Sequence, residues 1–136
     1  MSIEGDMVTY VLADATISAI IGAGMNPVFA SHDPQAPYIS YRRVNTDRLV
    51  THSGAEKRAT VQFVVTCWDK EYDDAIDLAD KVRLRLDGKG KTTWGTTPVH
   101  FYRVIDETDN FEPSPELLEK QFFGRDLTVE IRFTET

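Results

Sequence analysis

Residues 59–86 read ATVQFVVTCWDKEYDDAIDLADKVRLRL, and within them a hydrophobic period of two gives way to one near 3.6. From Val61 to Cys67 the alternate residues Val61, Phe63, Val65 and Cys67 are apolar, Thr60, Gln62 and Thr66 are polar, and Val64 alone breaks the pattern. This alternation predicts a strand with one buried face. After Trp68 the apolar positions become Tyr72, Ala75, Ile76, Ala79, Val82 and Leu86, in steps of three and four that predict a helix with one apolar side. That side needs an apolar partner, and the preceding strand is the nearest one. Asp69 stands where it can cap the helix. The acids Glu71, Asp73, Asp74 and Asp77 gather at its start and Lys81, Arg83 and Arg85 near its end, each placement contributing ~0.3–1 kcal/mol with the helix dipole. Dipole matching and a solvated face account for these charges without a metal or substrate cluster. The run DGKGK, residues 87–91, stops the helix, with Gly88 and Gly90 free to adopt positive φ.

The rest of the chain repeats these two periods. Residues from Ile3 to Ile21 carry Met7, Tyr10, Val11, Ile17 and Ile20 or Ile21 at helical spacing, and Gly22 and Gly24 follow as a stop, which predicts one long helix. Between Asn26 and Pro37 three prolines bound a short strand at Val28 to Ser31 and a turn, HDPQAP. A strand at Tyr38 to Val44 follows, then a long polar connection, Asn45 to Arg58. Thr92 to Thr97 is expected to be an exposed turn containing Trp94. Val99 to Glu107 is expected to be a strand with Val99, Phe101 and Ile105 on one face and Tyr102 and Val104 on the other. Thr108 to Gln121, with Pro113 and Pro115, reads as a second irregular connection. The last strand, Phe122 to Phe133, is the most regular: Leu127, Val129, Ile131 and Phe133 alternate with Asp126, Thr128, Glu130 and Arg132. The expectation is a single α+β domain over residues 1–136, an antiparallel sheet with two helices packed on one face and a long hairpin loop.

Composition narrows the function. A chain of 136 residues holds one domain with a real core and is too short for two ordinary ones. A formal net charge of −7 argues against a general nucleic-acid binder, which works by neutralising phosphates. It suits a surface that must not grip DNA. A single cysteine excludes an internal disulfide and a cysteine zinc site. No apolar run approaches a membrane span, and MSIEGDMV carries acids where a secretory signal needs a basic region.

No catalytic constellation has proper spacing. His32, His52 and His100 stand apart in a proline-rich turn, a polar loop and a strand, and Cys67 lies at an inward strand position. Asp33 beside His32 reads as a turn residue before Pro34. DGKGKTT at Asp87 to Thr93 follows a helix, lacks the full glycine spacing and precedes no apolar helix, so it is not a phosphate loop. No cofactor, metal or enzymatic activity is expected. The two polar connections stand out instead, because connections this long are functional or mobile. Arg48, His52, Lys57 and Arg58 give the first a basic character suited to an acidic partner surface.

Four features in order resemble the tail completion or tail terminator proteins of long-tailed bacteriophages and gene transfer agents. They are the PQ-x-PYI-x-Y turn at Pro34 to Tyr41, the strand ending in an aromatic and an aspartate at Val61 to Asp69, the A-x-x-L-A-x-x-V-R-x-x-L helix at Ala75 to Leu86, and the R-x-L-x-V strand at Arg125 to Val129. The resemblance covers most of the chain and rests on core and turn residues. It implies a structural virion protein forming a homo-oligomeric ring, usually a hexamer, at the head–tail junction and assembled in the bacterial host cytoplasm. Such a ring caps the tail tube protein, meets the head–tail connector proteins and leaves a lumen through which DNA passes without specific binding; no membrane is involved. Within that frame the interface residues are Arg48, Leu49, Val50, His52, Lys57, Arg58, Phe111, Leu117 and Leu118, apolar anchors and cations inside polar connections. The same residues could instead fold back on their own subunit. The alternative function is a small ligand-binding domain or enzyme subunit using the open sheet face, with Gln62, Thr66, Trp68, His100, Tyr102 and Arg132 as its polar groups.

Overall fold

The computed structural model describes residues 2–22, 24–27, 37–48, 58–87, 91–112 and 122–135. Its elements are α1 (Ile3–Leu12), α2 (Ala15–Ile21), β1 (Met25–Pro27), β2 (Tyr38–Arg48), β3 (Arg58–Asp69), α3 (Tyr72–Leu86), β4 (Thr92–Trp94), β5 (Thr97–Glu112) and β6 (Phe122–Thr134). The strands form one sheet in the order β1-β2-β3-β6-β5-β4, antiparallel throughout except for the parallel β1–β2 pair. The expected α+β class holds, with the helices gathered on one face.

β3 lies between β2 and β6 because its sequence has an apolar face to bury and paired neighbours on both sides. Val61, Phe63, Val65 and Cys67 are fully buried, beside Leu127, Val129 and Ile131 of β6. Over them lies α3, contributing Ala75, Leu78, Ala79, Val82 and Leu86, with Met7 and Val11 of α1 and Ile17 of α2 completing the core. Tyr72, expected on the buried side of α3, is instead exposed: it is the first residue of the helix, and its ring meets Phe123 edge-on at 5.9 Å between centroids. Asp69 is not the cap: its carboxylate accepts from the N–H groups of Lys70 and Glu71, forming a tight turn just ahead of the helix. The helix gives way to extended backbone at Asp87, and Gly88 and Gly90 lie outside the described residues.

The single long N-terminal helix is corrected to two. Asp14 takes an extended conformation and its side chain accepts from the Thr16 amide (2.9 Å) and hydroxyl (2.6 Å), starting a new helix where the apolar spacing runs on unbroken. Gly22, at φ 61°, ends α2 as expected. A short strand forms at Met25–Pro27; the strand expected at 28–31 lies outside the described residues, as does most of the HDPQAP turn.

Three bulges separate the sheet from its sequence pattern. Register skips fall at Val44 in β2 and at His100 and Ile105 in β5. Each inserts one residue and reverses which face the following side chains occupy. Hence Tyr102 and Val104 turn toward the helices and Phe101 away from them, the reverse of the simple alternation, and Ile105 is left exposed. Trp94, expected in an exposed turn, is buried: it stacks on Tyr10 at 4.7 Å between ring centroids and meets Tyr102 at 5.2 Å, while Gly95, at φ 63°, turns β4 into β5. The Tyr10 and Tyr102 hydroxyls share a 2.8 Å hydrogen bond, and the Arg85 guanidinium covers the Tyr10 ring at 3.9 Å.

The α2 cap is open to titration. The Thr16 hydroxyl and amide hold the Asp14 carboxyl below its ordinary value. A depressed folded-state value means that the cap contributes fully above the unfolded-state pKa and is lost as pH falls through the folded one. Asp14→Ala is expected to lower the unfolding free energy by about 1 kcal/mol in a urea titration at neutral pH. Asp14→Asn should retain most of the stability there while losing less of it on acidification.

Candidate assembly surface

The two polar connections are reached by strands longer than their sequences suggest. Asn45 to Arg48, expected in a loop, continue β2 and pair with Ala59 to Gln62; Thr108 to Glu112 continue β5 and pair with Phe122 to Asp126. The β2–β3 and β5–β6 hairpins therefore run out at opposite ends of the sheet, since β3 and β6 are antiparallel. Of the expected interface residues, Arg48 and Arg58 sit together at the end of the first hairpin and Phe111 pairs with Phe123 near the end of the second. Leu49, Val50, His52, Lys57, Leu117 and Leu118 lie outside the described residues.

The charges at the hairpin ends are locally committed. Arg48 is exposed and forks onto Glu135, with Nε 2.9 Å from Oε1 and Nη2 3.3 Å from Oε2. At the opposite end Arg125 bridges Asp109 (2.9 Å) and Glu107 (3.3 Å), and the Tyr72 hydroxyl donates to Asp109 at 2.8 Å. The bonds from Tyr72 and Arg125 hold the Asp109 carboxyl below its ordinary value, and the bond to Asp109 raises the Tyr72 phenol. Spacing alone could not reveal this cluster, since its members come from three separate elements.

The face away from the helices is a ladder of lateral polar contacts. Thr66 donates to Asp126 at 2.7 Å, the Trp68 indole donates to Ser40 at 3.0 Å, and Arg103 and Arg132 lie over the Phe101 ring. Of the six residues considered for a ligand site, Gln62, Thr66, Trp68 and Arg132 share this face, and His100 bonds Thr134 at 2.7 Å. Tyr102 does not join them, because the bulge turns it inward. Cys67 is buried, and burial pushes its thiol up, away from the thiolate a nucleophile requires. Among the described residues no group of side chains could hold a metal ion.

The fold is shared with a solved structure: over 95% of this chain and 92% of the other, it superimposes with a TM-score of 0.69, at 14% identity, on a chain from the virion of a native gene transfer agent particle. The chain belongs to the family of the tail completion protein gp17, whose model matches residues 5–132. No curated protein matches it. Family membership makes it a structural protein of a phage-type tail, in agreement with the resemblance carried by its turn, strand and helix motifs.

One position on the open face tests how tightly it is built. A Cβ at Gly124 would lie 2.8 and 2.9 Å from ring carbons of Trp68 and 3.1 Å from the Thr66 methyl. Alanine ordinarily favours a strand over glycine by roughly 0.5–1 kcal/mol, but here the indole is held by Ser40 and stacked against Tyr38, so the clash decides the sign. Gly124→Ala is expected to destabilise the fold by about 1–3 kcal/mol, read from the urea midpoint. In a Trp68→Leu background the same change should cost less.

Proposed function

We propose that this protein is a tail terminator: a ring, with six copies as the expected number, that caps the last ring of the tail tube and joins it to the head connector. The observation that carries this reading is the pair of long hairpins leaving opposite ends of one sheet. A joining ring needs two contact surfaces facing opposite ways, one for the tube protein and one for the connector. Arg48, Leu49, Val50, His52, Lys57 and Arg58 form one contact segment in this reading, and Phe111, Leu117 and Leu118 belong to the other. The net charge of −7 suits a lumen that lets DNA slide through without holding it. The site of action is the head–tail junction, after assembly in the host cytoplasm.

Purified protein, alone and mixed with tail tubes, should form rings or appear only at one end of the tubes by light scattering and negative-stain imaging. A monomer that ignores tubes would overturn the reading. Deleting Thr51–Glu56 should leave the circular dichroism and the urea midpoint essentially unchanged, because it falls outside the core expected from the sequence, and should abolish end-capping. Unfolding of the deletion variant would show that this connection serves its own subunit.

A further inference from the structure

The strand register relates the two margins of the sheet. Arg42 pairs with Val64, Val64 with Thr128, and Thr128 with Asp106, so Arg42 and Asp106 stand at one height on opposite edges. Directly paired residues share a face, which places both on the helix-free side. Closer to the end of the β2–β3 hairpin, Asn45, Gln62, Glu130 and Arg103 form another row, and Asp47, Thr60, Arg132 and Phe101 the next. One margin thus presents Arg42 and then Asp47, while the other presents Asp106 and then Arg103. Arg42 and Asp106 are opposite in sign at one height, and Asp47 and Arg103, one row apart, are opposite in sign as well.

Two further observations point the same way. Among the described residues, β1 covers β2 only over Ile39–Tyr41 and β4 covers β5 only over Thr97–Val99, so neither margin has a strand partner where these charges stand. Between the charges, the bulges leave Val44 and Ile105 exposed, one on each margin and within about one row of each other. An apolar centre flanked by charges is the usual anatomy of a protein interface.

We infer that the β5 margin of one copy packs beside the β2 margin of the next in the same orientation, Arg42 toward Asp106 and Asp47 toward Arg103, with Val44 and Ile105 between them. The inference rests on the ring reading and supplies its lateral contact. Because each copy offers a different margin, the contact is heterologous and repeats around an axis until it closes.

Reciprocal charge reversal in the full chain tests it. Arg42→Glu alone and Asp106→Arg alone should each raise the protein concentration needed for half-maximal ring formation about tenfold or more. Both sites are exposed, so circular dichroism should stay unchanged. An equimolar mixture of the two variants should recover ring formation, because reversed charges then meet at every second contact and native ones at the rest. Asp47→Arg and Arg103→Glu provide a second, independent pair. Rings that form equally well in every variant would overturn this contact and leave the ring reading standing, and variants that fail without recovery in the mixture would also overturn it. Failure of the unmodified protein to form rings, alone or on tubes, would remove the ring reading and this contact together.

Discussion

The burial of one face of β3 beneath α3 is the constraint on which the rest of the molecule depends. Val61, Phe63, Val65 and Cys67 are shut off from solvent, and each large apolar side chain so buried contributes roughly 1.5–3 kcal/mol. β6 extends that face with Leu127, Val129 and Ile131, and α3 closes it with Leu78, Val82 and Leu86. Toward its end β3 is dry on both faces: Thr66 and Trp68 are also buried, their polar atoms satisfied by Asp126 and Ser40. A one-residue slip of this strand would drive its apolar set into water, so the register is strongly fixed. Every feature at the margins inherits its position from that register.

What could be read without coordinates follows from the same constraint. β3, α3 and β6 are legible because one buried face imposes one period on each. The break between α1 and α2 is not, because Tyr10, Ile17 and Ile21 keep helical spacing across it; the local signal is Asp14 two residues ahead of Thr16. The faces of β5 are misread for a different reason. A bulge leaves no composition of its own, and at His100 and Ile105 it depends on how β6 pairs. Trp94 looks exposed among threonines and a glycine, and only Tyr10 and Tyr102, distant in sequence, bury it. For the assembly surface, the polar composition marked the two connections, while the strand portions of both required the pairing itself. That Arg42 and Asp106 share one row across the sheet is a relation that no window along the chain contains.

The molecule divides its labour accordingly. Its centre is apolar, doubly paired and tightly packed, and the family resemblance rests largely on residues of this kind. Its edges and hairpin ends carry charge, bulges and exposed apolar side chains, including Val44 and Ile105.

The strand order has a consequence for how the chain is made. β6 is the last strand in sequence, yet it sits in the middle of the sheet between β3 and β5. Until the ribosome has released it, β3 has an open edge, β5 and β4 have no attachment to the rest of the sheet, and α3 covers an unfinished core. Strand pairing between segments some sixty residues apart is slow, and an uncapped apolar strand is prone to join the wrong neighbour. Completion of the sheet therefore waits for the synthesis of β6, and until then the apolar face of β3 needs shielding from the wrong neighbours.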